Sequence, residues 1–134
     1  MVSMDYSGKN YIVTGGAGGI GGAVVDGIVS GGGHAVIVDI NEAGKYQEKY
    51  GEDKVTVAAV DLSNPAEIRE KFGALVQKFG QIHGLICVAG IVSTSKFEDV
   101  TQAEWDRVVA INLTGVFASI QSVFTNMKEH SYGR

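Results

Sequence analysis

Four short apolar runs rich in β-branched residues punctuate this chain: NYIVT (10–14), HAVIVDI (34–40), KVTVAAV (54–60) and IHGLICV (82–88). Longer stretches lie between and after them, with apolar residues at helical spacing. The runs are apolar at nearly every position rather than at alternate ones, the pattern of strands covered on both faces. Strands of that kind alternating with helices pair in parallel. The right-handed crossover rule then leaves an open, doubly wound parallel sheet as the simplest topology, with strand order 3-2-1-4. The expected architecture is a three-layer α/β/α domain over residues 1–134, whose ligands would bind at the carboxyl ends of the strands, beside the switch between strands 1 and 4.

The helical segments carry their own punctuation. From Gly19 to about Ser30 the residues Ile20, Ala23, Val24 and Ile28 recur on one face, and Gly31, Gly32 and Gly33 stop the helix. NEAGKYQEKYG (41–51) predicts a short charged helix with Asn41 as its N-cap. The third segment opens with Asn64 at the N-cap, Pro65 at the first helical position and Glu67 at the third, then lines up Ile68, Phe72, Leu75, Val76 and Phe79. Thr101 and Glu104 form a capping box that starts a last, long helix running to about Lys128.

Composition narrows the function. A chain of 134 residues, 45% hydrophobic and 19% charged, is long enough for a real core and too short for two domains. Its net charge of −4 supplies no basic field for nucleic acid or anionic lipid, so a small molecule is the expected partner. The lone Cys87 supports neither a disulfide framework nor a metal site and points to a reducing, cytoplasmic compartment. The N-terminus has no hydrophobic signal core, and no apolar stretch is expected to reach the length of a membrane span.

The glycine loop TGGAGGIGG (14–22) sits between the first strand and the first helix. Gly16, Gly18 and Gly21 match G-x-G-x-x-G, and in another frame Thr14, Gly15, Gly19 and Gly21 match T-G-x-x-x-G-x-G. In either frame, residues without side chains let a pyrophosphate approach backbone N–H groups at the positive end of a helix dipole. No Lys-Ser or Lys-Thr follows, which excludes a P-loop. The glycines alone leave a ligand-free turn equally open, and Asp39 tips the reading. It stands at the end of the second strand, about 20 residues beyond the loop, where an acidic side chain bonds the ribose hydroxyls of NAD and repels a 2′-phosphate. With Asn41 assigned to the helix cap, its carboxylate is expected to be free.

These residues resemble the classical short-chain dehydrogenase/reductases, from about residue 8 to the last residue, and only the N-terminal half of that Rossmann-like family. The resemblance rests on TGGAGGIG (14–21), Asp39, DLS (61–63), CVAG (87–90) and INLTGVF (111–117) in combination. It implies NAD as cofactor, with Gly15, Gly19, Ile20 and Gly21 around the phosphates and Asp39 with Ile40 at the adenosine ribose and ring. It further implies Asp61 and Leu62 at the adenine edge, and Ala89 with Gly90 along the adenosine ribose. Cys87 and Val88 stand where the family usually has two asparagines, a departure expected to cost strand-to-strand hydrogen bonds more than cofactor contact. The resemblance makes Asn112 the asparagine of an Asn-Ser-Tyr-Lys catalytic tetrad, perturbing the helix locally and helping to hold a water. Without the resemblance, an amide bonded to neighbouring backbone is the favoured reading for an Asn in so apolar a helix.

In that family a Tyr-x-x-x-Lys pair and an upstream serine exchange protons with an alcohol or ketone substrate while hydride moves to or from the nicotinamide. Those residues follow a fifth strand, and the chain reaches Arg134 before such a strand is expected. The literal match, Tyr50 and Lys54, lies on the wrong side of the switch point, and Tyr132 has no lysine after it. His34 and His83 fall at strand starts and His130 at the end of the last helix, so structural or solvated roles are expected. The serines of VSTSKF (92–97) are expected to form turns. The chain is therefore read as the cofactor-binding half of an NAD-dependent oxidoreductase, or alternatively as a catalytically silent dinucleotide-binding or assembly module. Strand 4 is expected to be an exposed edge. The long helix 101–128, apolar around much of its girth, is expected to meet either a second copy or a complementing chain.

Overall fold

The computed structural model describes residues 4–41 and 43–134. Strands β1 (Asn10–Thr14), β2 (His34–Asp39), β3 (Val55–Ala59) and β4 (Gly84–Cys87) form one sheet in the order β3-β2-β1-β4. Every pair is parallel: Tyr11 stands opposite Ala35 on one side and Gly84 on the other, and Val36 opposite Thr56. Helices α1 (Gly19–Ser30) and α2 (Gly44–Tyr50) are joined in chain order by α3 (Pro65–Phe79), α4 (Gln102–Val109) and α5 (Val116–Glu129).

The unbroken apolarity of the strands has its reason in the two layers. Because successive side chains point to opposite faces, Ile12, Val36 and Val38 pack with Ile68, Phe72 and Leu75 of α3 and with Ala118 and Val123 of α5. Val13, Ala35 and Ile37 pack on the other face with Val25 and Ile28 of α1. Phe72 is fully buried, worth about 2–3 kcal/mol of transfer free energy.

The helix starts at α3 and α4 are built as their sequences predict. The Asn64 side chain accepts hydrogen bonds from the N–H groups of Ala66 (3.1 Å) and Glu67 (3.3 Å), with Pro65 in the first turn. At α4, Thr101 Oγ1 accepts from Glu104 N–H at 3.2 Å, and Glu104 Oε2 accepts from Thr101 N–H at 3.0 Å. The expectation at α2 fails: the helix begins at Gly44 after Ala43, and no side chain caps it. Asn41 instead donates its own N–H to Asp39 Oδ1 at 2.9 Å, because the chain turns directly at the end of β2.

The last helix is not regular. A π-helical segment, Ala110–Gly115, separates α4 from α5. At its end the helix passes the loop after β3 at backbone contact: a β-carbon at Gly115 would strike the carbonyl oxygen of Leu62. The helical run Gln102–Glu129 is also long and apolar enough to cross a membrane by length and composition, contrary to the sequence expectation. Here Ala118 and Val123 pack it into the same core as α3. β4 is the edge strand, as expected, with Leu85 and Ile86 half-buried and Cys87 exposed, and a single residue bonds along its start. Arg134 donates its N–H to His83 O (3.1 Å) and accepts from Leu85 N–H (2.9 Å), the two bonds of a parallel neighbour flanking Gly84.

Candidate functional site

A cleft of about 730 Å³ opens at the carboxyl ends of the strands, where β1 and β4 part. Its walls are the glycine loop, the ends of β2 and β3, the turn after β4, and one face of the last helix. Gly15, Gly19, Ile20 and Gly21 line it, as do Asp39 with Ile40, Asp61 with Leu62, and Ala89 with Gly90. The structure thus gathers around one space all ten residues that the sequence marks for cofactor contact. A cleft of about 750 Å³ lies elsewhere, along the flank of β4 and α1, with Tyr6, Tyr11 and Leu85 in its wall and none of these ten residues.

The glycine loop is closed on itself. Gly15 takes φ +70°, its N–H donates to Val38 O at 2.8 Å, and its Cα lies so near β4 that a β-carbon would sit 2.7 Å from Ala89 N. A β-carbon on Gly21 would fall on the carbonyl oxygen of Gly15. Gly18 N–H donates to that same oxygen at 3.2 Å, and Gly22 N–H to Gly18 O at 2.7 Å. This leaves the N–H groups of Gly19, Ile20 and Gly21 without a hydrogen-bond partner among the described residues. In contrast to α3 and α4, α1 has neither a capping side chain nor an acidic residue in its first turn. Its amide dipoles face the cleft uncompensated.

Asp39 is nearly buried, with 8% of its surface exposed, and its carboxylate is not free as expected. Oδ2 accepts from Ala17 N–H at 3.0 Å and Oδ1 from Asn41 N–H at 2.9 Å. The carboxylate thereby braces the glycine loop against the end of β2. Each carboxylate oxygen has a second lone pair, so capacity for a hydroxyl donor remains. Asp61 is fixed likewise: Ser63 donates both its N–H (2.9 Å) and its hydroxyl (2.7 Å) to Oδ1. Those bonds, with the Arg107 guanidinium nearby, hold the Asp61 carboxyl below its ordinary range.

Asn112 lies in the π segment and outside the cleft lining. Its Oδ1 accepts from Ile91 N–H at 2.9 Å and its Nδ2 donates to Ile91 O at 2.8 Å, so the amide is satisfied by neighbouring backbone. The family departure at Cys87 and Val88 is met by main chain: Val88 N–H (3.2 Å) and Ala89 N–H (3.0 Å) both donate to Thr14 O. Tyr50 is remote, its hydroxyl donating to Asp26 on α1. Among the described residues no tyrosine, lysine or histidine lines the cleft. His34 bridges Asp53 O and Thr56 Oγ1, His83 Nδ1 accepts from Asn10 N–H, and His130 Nδ1 pairs with Asn126 O.

The serines after β4 form a latch rather than a nucleophile site. Ser93 (3.1 Å) and Ser95 (2.6 Å) both donate their hydroxyls to Glu104 Oε1. Together with Thr101 they hold the Glu104 carboxyl down to about 2. A carboxyl lowered on folding stabilises at pH above its ordinary 4.5, and that contribution fades as pH falls towards about 2. Hydrogen exchange at the Ser95 and Thr101 amides, corrected for intrinsic rate, is expected to show constant protection from neutral pH to about 5 and progressive loss below it. Glu104→Gln is expected to show the reduced protection already at neutral pH.

The fold and the cleft define a doubly wound α/β protein with a glycine-loop crevice at its topological switch point. The chain belongs to the short-chain dehydrogenase family, whose profile, described as short chain dehydrogenase, matches residues 9–134. It is 36% identical over 127 residues to a 3-alpha-(or 20-beta)-hydroxysteroid dehydrogenase of Mycobacterium tuberculosis, covering 94% of this chain and 49% of the relative. It is 32% identical over 130 residues to a D-threitol dehydrogenase of Mycolicibacterium smegmatis, covering 94% and 50%. The crystal structure of levodione reductase superposes with a TM-score of 0.85 at 29% identity, over 96% of this chain and 52% of that one. The chain spans about half the length of the curated relatives it matches.

Arg107 and Ile111 also line the cleft; the sequence gives Arg107 no role and marks Ile111 only as part of INLTGVF. They stand one helical turn apart, a spacing visible in the sequence. That this turn of α4 faces the cleft depends on how the helix crosses the sheet, which no local pattern encodes.

Proposed function

We propose that this chain is the cofactor-binding half of an NAD-dependent short-chain dehydrogenase that moves hydride between the nicotinamide and an alcohol or ketone. The observation that carries this reading is the juxtaposition, across one cleft, of the unpartnered Gly19, Ile20 and Gly21 amides with the Asp39 carboxylate. The amides would receive the pyrophosphate. Asp39 would accept from the adenosine ribose hydroxyls, with Ile40 against the ring, Asp61 and Leu62 at the adenine edge, and Ala89 and Gly90 along the ribose. Bound NAD supplies the hydride chemistry, and the protein binds and orients it. Asn112 is assigned a supporting role at the catalytic centre of the whole protein. Cytoplasmic location, and assembly with a second copy or a complementing chain through the long helix, belong to the same proposal. The exposure of Trp105, Leu113, Phe117 and Phe124 on that helix supports the assembly.

Fluorescence titration of the chain with NADH and NADPH tests the cofactor reading. NADH is expected to bind about tenfold or more tightly than NADPH, a difference of ~1.4 kcal/mol or more, because Asp39 repels a 2′-phosphate. Asp39→Ala is expected to bring the two within about threefold, ~0.6 kcal/mol. Equal affinity in the unmutated chain would remove the role given to Asp39.

A further inference from the structure

We propose that Arg107 is itself a ligand-binding residue, its guanidinium closing over the adenosine half of a dinucleotide held in the cleft; this rests on the reading of the cleft as a dinucleotide site. The first ground is charge. Among the described residues lining the cleft, Asp39 and Asp61 are the acidic ones and Arg107 is the cationic one. Without Arg107, a ligand carrying two phosphate charges would meet a wall bearing two carboxylates and no cation. The dipole of α1 addresses the phosphates, and Arg107 adds the positive side chain that offsets the acidic ones.

The second ground is availability. Arg69 donates to Gln121 and Arg134 to a backbone carbonyl, but the exposed Arg107 side chain has no hydrogen bond or ion pair with any described residue. A guanidinium presents five donors and a flat face that stacks on aromatic rings. Adenine is such a ring, and Ile111, one turn further along the helix, supplies apolar surface beside it.

The third ground is restraint. Asp61 is pinned by two bonds from Ser63, so it keeps its charge and its place. Arg107, on a long flexible stem, is the partner that moves. The fixed carboxylate gives the guanidinium a counter-charge to lean on while its face covers the base.

The test titrates the chain with NADH, with ADP-ribose, which keeps the adenosine and both phosphates, and with nicotinamide mononucleotide, which lacks the adenosine. Arg107→Ala is expected to weaken NADH and ADP-ribose by the same factor, about tenfold, and to leave nicotinamide mononucleotide unchanged. Arg107→Lys keeps the charge without the plane and is expected to recover part of the loss. Gln102→Ala, on the exposed first turn of the same helix, is expected to bind as the unmutated chain does. Arg107→Ala binding NADH and ADP-ribose within twofold of the unmutated chain overturns the proposal, as does an equal loss for nicotinamide mononucleotide. If the unmutated chain binds neither NADH nor ADP-ribose, the reading of the cleft fails first and Arg107 has no ligand to hold.

Discussion

Gly21→Ala is expected to weaken NADH binding at least about 100-fold, ~2.7 kcal/mol, measured by fluorescence titration of the folded chain. The added β-carbon lands on the carbonyl oxygen of Gly15, and neither partner has room to give. Gly15 is held by its bond to Val38 O and by contact with Ala89, at a φ of +70° that resists any side chain. The loop must therefore open, which displaces the Gly19, Ile20 and Gly21 amides that face the cleft. The fold itself should survive, with a loss of about 1–3 kcal/mol, the usual range for an added methyl in a packed site. Gly19→Ala separates the two effects: its β-carbon meets nothing within 4 Å. That variant should unfold at the same or a higher urea concentration, because alanine is the better helix former by about 1 kcal/mol. It should still lose affinity, since a methyl then stands where a phosphate must approach. Unchanged NADH affinity in Gly21→Ala would show that the closed loop is not the phosphate cradle.

The parallel sheet and its order were legible because the two central strands are covered on both faces, a demand that leaves its mark at every position from Tyr11 to Val13 and from Ala35 to Val38. The cleft residues were legible for a related reason: the glycine loop, Asp39, Asp61 and Gly90 each lie at or just past the carboxyl end of a strand, so topology alone delivers them to one edge. What failed was local. Asn41 has the right residue type and place for a cap, but the turn after β2 spends its N–H on Asp39 and starts α2 later. The same turn, with Ala17, fills carboxylate valences expected to be free. Arg107 was invisible for the opposite reason. A charged residue on an exposed helical turn reads as solvated surface, and only the crossing of the last helix over the loop after β3, where Gly115 in the π segment approaches Leu62, brings it to the cleft.

The last helix carries two asparagines that do one job at the two ends of β4, and only one of them drew attention in the sequence. Asn112 pairs with both backbone groups of Ile91, beyond the strand's exit. Asn126 does the equivalent at the approach: its Oδ1 accepts from Ile82 N–H at 2.9 Å and its Nδ2 donates to Gly80 O at 2.9 Å. Ile82 is fully buried and Asn126 nearly so, at 7% exposure, so water cannot readily replace the amide. Asn126→Ala leaves the buried Ile82 N–H unsatisfied, worth about 1–3 kcal/mol, while solvent reaches the exposed Gly80 carbonyl, and a loss of roughly 2 kcal/mol in urea unfolding is expected. Asn126→Asp keeps the acceptor for Ile82 N–H but turns the donor facing Gly80 O into a second acceptor, so it should not restore stability. Asn112 is exposed, and its replacement by alanine should cost less stability because solvent reaches the groups it leaves. A loss below about 1 kcal/mol in Asn126→Ala would mean that α5 is held to the sheet by its apolar contacts, those of Ala118, Val123 and Met127. A large loss there, with a small one at Asn112, would mean that the asparagine at the buried end fastens the helix.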